Sequence, residues 1–154
     1  MQHIITPDPI NYYAEKYTSP ENPVLAALNK KTHEEVHGAQ MLSGHLQGMV
    51  LQLISQMIRP KNILEIGTYT GYSAICLAKG LQQGGKLHTL DTDETLQSIR
   101  DESWKAAGLE DRIVQHTGDA AALIGPLDTE FELVFIDADK KNYGLYFDLL
   151  IDRM

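Results

Sequence analysis

The stretch Asn62–Ser73, N-I-L-E-I-G-T-Y-T-G-Y-S, constrains the fold more than any other part of the sequence. It begins with a short apolar run that only Glu65 interrupts, which is typical of a buried strand. Gly67 and Gly71 then bracket a turn, and residues 72–79 have helical composition and spacing. A strand, a glycine turn and a helix in this order predict the opening unit of a nucleotide-binding parallel sheet.

The remaining segments extend this pattern into an alternation of strands and helices. Further strands are predicted at residues 86–90, 112–116 and 131–136, with helices at 24–36, 45–58, 93–107 and 140–154. In the second of these helices the apolar residues recur at helical spacing: Leu46, Met49, Val50, Leu53, Ile54 and Met57. Residues 1–23 hold four of the six prolines and predict an irregular arm with one short helix. We therefore expect a single α/β domain, a doubly wound parallel sheet with helices on both faces.

Composition excludes several classes of protein. A net charge of −8 argues against a nucleic-acid-binding surface, because phosphate contacts need clustered Lys and Arg. No apolar run of membrane-spanning length and no signal peptide are visible, so no membrane association is expected. The single cysteine, Cys76, fits a small buried apolar side chain and a reducing compartment, which predicts a cytoplasmic protein.

The glycine turn indicates which kind of nucleotide is bound. A dinucleotide site favours G-x-G-x-x-G, which lets the backbone approach a pyrophosphate. Here the pattern is E-x-G-x-x-x-G, and Glu65 would repel a pyrophosphate. The same carboxylate suits a ligand with an ammonium and a sulfonium, which favours S-adenosylmethionine. An NAD-dependent oxidoreductase is the weaker alternative.

Acidic residues follow the predicted strands. Because ligands of open α/β sheets bind outside the carboxyl ends of the strands, Glu65, Asp91, Asp119 and Asp137 are candidates for the site. Asp91 comes 26 residues after Glu65, close to the offset of about 20 at which an acid accepts ribose hydroxyls. Asp119 fits a similar contact or an ordinary helix cap.

The pair Asp137 and Asp139 requires a cation or strong donors nearby, because both acids follow a wholly apolar strand. A hard divalent ion such as Mg²⁺, held by one or two carboxylates and by substrate oxygens, would meet this need. Lys140 is adjacent in sequence but would be a poor pairing partner for Asp139.

A zinc-protease pattern, H-E-x-x-H, is present at His33–His37. It lies in a polar stretch and lacks an evident third ligand. A solvated helix face is the better interpretation.

Taken together, L-E-I-G-T-Y-T-G-Y-S and F-I-D-A-D-K-K-N-Y resemble the cation-dependent O-methyltransferases, the family of caffeoyl-CoA and catechol O-methyltransferases. The resemblance runs from about residue 41 to 146 and implies a Rossmann-like methyltransferase sheet. It implies that the methionine part of S-adenosylmethionine is held by Glu65, Gly67, Thr68 and Ser73, the ribose by Asp91, with further cofactor contacts from Ser43, Ala120 (by the adenine) and Asp139. Asp137 matches a metal ligand, with Mg²⁺ expected, and Lys140 matches the lysine that acts as a base.

The same resemblance implies a small-molecule phenolic substrate and a homodimer, for which the tyrosine-bearing arm at residues 1–23 is a candidate dimer or lid element. The family's remaining metal ligands, an Asp-Asn pair after a G-G turn, and its last strands have no counterpart in this sequence. A C-terminally truncated chain with an exposed apolar sheet edge is therefore expected. A cofactor-binding module without catalysis is the alternative from another class of protein.

Overall fold

The computed structural model describes residues 7–154, which form a four-stranded parallel sheet. The strands are β1 (Asn62–Ile66), β2 (Lys86–Asp91), β3 (Ile113–Thr117) and β4 (Leu133–Ile136), in the order β3-β2-β1-β4. The order reverses between β1 and β4, which is where ligands bind in doubly wound sheets. The predicted fold class is confirmed.

Seven α-helices connect and precede these strands in residues 7–154. They are α1 (Asp8–Tyr17), α2 (Pro23–Glu35), α3 (Gly44–Ile58), α4 (Tyr72–Ala78), α5 (Gln97–Ala106), α6 (Ala120–Ile124) and α7 (Tyr143–Leu150). Short 3-10 turns occupy Ala39–Met41, Lys140–Asn142 and Ile151–Arg153. None of the helices within residues 7–154 is long and apolar enough to cross a bilayer.

Alternation along the strands divides the core into two layers, because successive side chains point to opposite faces of a sheet. On one face, Ile63 and Leu87 pack with side chains of α2–α5, including Leu28, Leu51 and Trp104. On the other face, Leu64, Ile66 and Leu90 pack with α6 and α7 through Ile124, Tyr146 and Leu150. Both faces of the sheet are therefore covered, as the near-continuous apolar strands predict.

Two predicted helix boundaries are wrong. Helix α5 begins at Gln97 rather than at Asp93, because Asp93 Oδ1 accepts from the backbone N–H and the hydroxyl of Thr95 and closes a local turn. The helix predicted over residues 140–154 is interrupted, with regular α-helix only in α7.

Helix α3 forms where the sequence predicts it, but its apolar stripe faces outward. Val50, Leu53 and Met57 are 54%, 57% and 76% exposed. The side of α3 that meets α4 carries the buried residues Gly48, Leu51 and Ser55, of which Gly48 and Ser55 are small. Small residues let two helices approach closely. Helix α3 therefore turns its small residues, and not its apolar stripe, toward α4. Strand β4 forms an edge of the sheet, because within residues 7–154 it pairs only with β1. The following helix α7 exposes Phe147, whose side chain is 55% accessible.

This close approach makes Gly80 sensitive to a single added methyl group. A Cβ at Gly80 would lie 2.2 Å from the carbonyl carbon of Ser55, a backbone atom that cannot rotate away. We expect Gly80→Ala to destabilise the protein by roughly 1–3 kcal/mol, measured by urea unfolding. Gly125→Ala is the matched control, since that position has φ −55° and no atom within 4 Å of the added methyl group. Equal unfolding midpoints for the two variants would contradict the packing described here.

Candidate functional site

A cavity of about 930 Å³ opens at the carboxyl ends of the strands, within the size range of small-molecule sites. Its walls include the glycine turn after β1, the ends of β2 and β4, the start of α6 and the segment 35–43. Nine of the eleven residues predicted for the site line it: Ser43, Gly67, Thr68, Ser73, Asp91, Asp119, Ala120, Asp137 and Asp139. Neither Glu65, which is fully buried, nor Lys140, which is exposed, is among the lining residues.

Gly67 brings the ends of β1 and β4 together. Its φ is +101°, and a Cβ there would lie 2.5 Å from the carbonyl oxygen of Asp137. The backbone N–H of Asp137 donates to Ile66 O at 2.9 Å, and Gly67 N–H donates to Leu90 O at 2.9 Å. A side chain at position 67 would therefore separate two of the strand ends that form the cavity.

Asp91 is bonded to the turn that follows β1. Its Oδ2 accepts from the backbone N–H groups of Thr68 and Tyr69 at 2.9 and 2.7 Å. Its Oδ1 accepts from Asp93 N–H at 2.9 Å. Because a carboxylate offers about four acceptor positions, Oδ1 retains capacity for a ligand hydroxyl whereas Oδ2 is already filled.

Glu65 is a fully buried carboxylate with an incomplete set of partners. Thr89 donates its hydroxyl to Oε2 at 2.6 Å, and the hydroxyls of Thr68 and Thr89 lie 2.6 Å apart. In the described part of the chain, Oε1 has no hydrogen-bond partner. Burial raises the pKa of Glu65 to about 7, against the opposing effect of the nearby Ser73 and Thr89 hydroxyls. The site therefore holds a fully buried carboxylate with one oxygen that makes no hydrogen bond within residues 7–154.

The two acids after β4 have different surroundings. Burial raises the pKa of Asp137, while Tyr143 and the positive charge of Lys140 act against that rise. Asp139 accepts from Tyr146 Oη at 2.6 Å and from Asn142 Nδ2 at 2.5 Å, so each of its oxygens has a donor. Asp137 is thus the acid better able to take up an external cation.

The other predicted residues lie at the starts of helices. Ser43 is the residue before α3, Ser73 lies in the first turn of α4, and Ala120 is the first residue of α6. Asp119 caps α6 by accepting from Ala122 N–H at 3.0 Å, which was one of its two interpretations.

Sequence reasoning missed several residues that shape the cavity. Arg100 of α5 is fully buried, and its Nε donates to Tyr69 O at 2.6 Å. The layer formed by α2 and the segment after it contacts the glycine turn through Thr32, which donates to Thr70 at 3.2 Å. Tyr146 also lines the cavity and donates to Asp139, a bond that helical spacing does not indicate because Asp139 precedes α7.

The H-E-x-x-H pattern does not lie on one helix face. Helix α2 ends at Glu35 and Val36 is extended, so His37 leaves the helix on which the pattern depends. His33 Nδ1 lies 2.9 Å from Asn29 O. Residues 7–154 contain no group of three or more His, Cys, Asp or Glu side chains arranged to hold a metal ion.

The fold and the cavity together define a doubly wound α/β protein with an acidic ligand site at its topological switch point. Among the described residues, Lys31 is the only lysine or arginine that lines the cavity, and it pairs with Glu102. Such a site favours a cationic ligand over a pyrophosphate.

Comparison with known proteins agrees with this class. The profile of a family described as O-methyltransferase matches residues 15–154. A catechol O-methyltransferase of Niastella koreensis is 34% identical over 90% of this chain and 64% of its own length. A caffeoyl-CoA O-methyltransferase of Stellaria longipes is 30% identical over 86% of this chain and 57% of its own. The chain belongs to the O-methyltransferase family.

Solved structures give the same result. A methyltransferase from Podospora anserina, bound to S-adenosylhomocysteine (SAH), superposes with a TM-score of 0.87 at 30% identity. The superposition covers 95% of this chain and 63% of that one. An O-methyltransferase from Bacillus cereus in complex with SAH gives 0.82 at 32% identity, covering 94% and 67%. The chain thus spans about two thirds of these proteins.

Proposed function

We propose that this chain binds S-adenosylmethionine as part of a divalent-metal-assisted O-methyltransferase that acts on a hydroxyl of a catechol or caffeoyl-type molecule. Asp91 Oδ1 would accept from the ribose, Ala120 would lie by the adenine, and Ser43 and Ser73 would contact the cofactor. The methionine part would be held by Glu65, Gly67, Thr68 and Ser73. Asp139 would contact the cofactor by exchanging one of its two present hydrogen bonds, from Asn142 and Tyr146, for a bond from the cofactor.

The observation that carries this proposal is the buried Glu65 carboxylate. A buried carboxylate oxygen without a hydrogen bond is expensive inside a protein, and Oε1 of Glu65 leaves an acceptor for an ammonium group. The other acids of the site add negative potential that favours a sulfonium over a phosphate. The SAH-bound relatives support the same ligand.

Isothermal titration calorimetry of the purified chain tests cofactor binding. We expect S-adenosylmethionine and SAH to bind and NAD not to bind, because the cavity offers acids where a pyrophosphate needs donors. Binding of NAD without binding of SAH would overturn the proposal in favour of an oxidoreductase.

A divalent cation fits the described residues in part. Asp137 supplies a cavity-lining carboxylate oxygen, and hard cations such as Mg²⁺ prefer such oxygens. The described residues bring no cluster of acids to it. We therefore assign Asp137 one position in a cation site and assign no further ligands.

For the reaction, we propose that the residues of the cavity orient the acceptor and handle its proton. When bound, the cofactor supplies the methyl group, and the cation favours the ionised hydroxyl. Lys140, next to the cavity, would take the hydroxyl proton. The residues that would hold the cofactor, Glu65, Gly67 and Thr68, would set its methyl group in line with the acceptor oxygen, so that the sulfonium could serve as the leaving group. Positioning along this line contributes much of the rate.

A cofactor-binding module without catalysis is the second candidate. Its supporting observation is that the described residues contain no group of three or more His, Cys, Asp or Glu side chains arranged to hold a metal ion. SAH binding with no methyl transfer to a catechol by the complete protein would favour it.

A further inference from the structure

Arg100 is a buried arginine whose position the proposed function does not explain. Its side chain is 0% exposed, although guanidinium groups are seldom removed from water. Nη2 lies 3.6 Å from Asp91 Oδ2, and Nε donates to Tyr69 O at 2.6 Å. Within residues 7–154, Nη1 and Nη2 make no hydrogen bond. An incompletely satisfied buried charge lowers the stability of the protein. Its presence here suggests a role other than stability.

The carbonyl that Arg100 holds belongs to a strained residue. Tyr69 has φ +49°, in the left-handed region that side chains other than glycine rarely adopt. Trp104, one helical turn beyond Arg100 on α5, lies 3.4 Å from Gly71 O through its indole nitrogen. One face of α5 therefore holds two carbonyls of the turn at residues 67–71, which lines the cavity.

The charge of Arg100 lies on one side of the Asp91 carboxylate. It is close to Oδ2, the oxygen that also accepts from Thr68 and Tyr69 N–H. Two N–H donors and the guanidinium charge thus draw Oδ2 toward the turn, whereas Oδ1 has one donor, Asp93 N–H. This asymmetry fixes the rotation of the carboxylate and leaves Oδ1 with the free acceptor position.

We propose that Arg100 is a positioning residue that sets Asp91 and the Tyr69 turn in the geometry required for the ribose of a nucleoside cofactor before that cofactor binds. The inference rests on the proposed function, because it takes Asp91 as the ribose ligand. A merely structural arginine would be replaceable by an apolar residue of similar volume without loss of affinity. Replacing a positioning arginine in the same way would lower the affinity for the cofactor, because the arginine acts through the position of Asp91.

Calorimetric titration of SAH into the full chain tests this role. We expect Arg100→Met to weaken binding roughly 10- to 100-fold, as for the loss of a hydrogen bond to a charged group. Arg100→Lys, which keeps the charge beside Asp91, should recover a large part of that loss. Arg112→Met is the matched control: Arg112 Nη2 also donates to a carbonyl, Gln82 O, but Arg112 does not line the cavity. Its affinity should equal that of the wild type.

A double-mutant cycle separates positioning from general stabilisation. In an Asp91→Asn background, Arg100→Met should cost less than about threefold, because residues of one network are not additive. Losses that multiply, or wild-type affinity in Arg100→Met, would overturn the inference while leaving the proposed function intact. A wild-type chain that fails to bind SAH would instead overturn the proposed function and this inference with it. Unfolding midpoints are measured for every variant, and Arg100→Gln replaces the methionine variant in the cycle if that variant does not fold.

Discussion

Replacing Glu65 with glutamine is expected to weaken SAH binding by roughly 100-fold while making the ligand-free protein more stable above pH 7. The loss of affinity follows because the ammonium of the ligand would lose a buried charged partner, which costs about 2–5 kcal/mol. The gain in stability follows because glutamine keeps an oxygen for the Thr89 hydroxyl but never has to ionise in the core. Function and stability should therefore change in opposite directions at this residue.

The pH dependence of stability has a definite sign. The pKa of Glu65 is raised from 4.5 to about 7 in the folded protein, so the folded state binds the proton more tightly than the unfolded chain. The wild type should lose stability as the pH rises from about 4.5 to 7, by about 3 kcal/mol in total. The glutamine variant should lack this loss. The advantage of the variant over the wild type should then grow across that interval and level off above it.

Urea unfolding between pH 4.5 and 8.5, with calorimetry of SAH at pH 7, measures both effects. Glu110→Gln, at an exposed position, is the control and should change neither quantity. SAH binding by the wild type near pH 7 should also release about half a proton per site from Glu65, because its pKa is about 7. Calorimetry in buffers of different ionisation enthalpy detects this release. Equal SAH affinity of the glutamine variant and the wild type would remove Glu65 from the cofactor site.

Under the proposed function, replacing Asp137 with alanine is expected to abolish methyl transfer to a catechol while leaving SAH binding within about threefold of wild type. The proposed cation would lose an oxygen ligand, and the acceptor hydroxyl would lose the positive charge that favours its ionisation. The cofactor contacts assigned to Asp91 and Glu65 lie on other strands and should persist. Turnover and binding would thus separate, which a general loss of structure would not produce.

A chelator should reproduce the Asp137→Ala result, and added Mg²⁺ should restore turnover in the wild type but not in the variant. Asp152→Ala is a control at an exposed acid near the end of the chain, outside the cavity lining. Methyl transfer that continues in a metal-free preparation would show that the mechanism proposed for Asp137 and Lys140 is wrong.

The fold was predictable because its main signals are local. Apolar strands, a glycine turn and alternating helices specify a parallel α/β sheet, and acids placed just after strands converge at one edge of it. Asp91, Asp119 and Asp137 were therefore assigned to the same end of the sheet from their positions alone. Helix boundaries such as the start of α5 were less predictable, because Asp93 bonds to Thr95 instead of capping the helix.

Contacts between distant segments required the tertiary structure. The apolar stripe of α3 indicated a helix but not its orientation, which Gly48 and Ser55 set through close packing on α4. In the same way, the distance from Arg100 to Asp91 depends on how α5 packs on the sheet.

The sequence by itself determined the class of fold, the position of the glycine turn and the acids that meet around it. Only the tertiary structure decided which oxygen of Asp91 is free, that Glu65 lacks a partner for Oε1, and that a buried arginine fixes the turn. The physical reason is that strand and turn preferences act over a few residues, whereas hydrogen-bond satisfaction in a core depends on every segment that packs there.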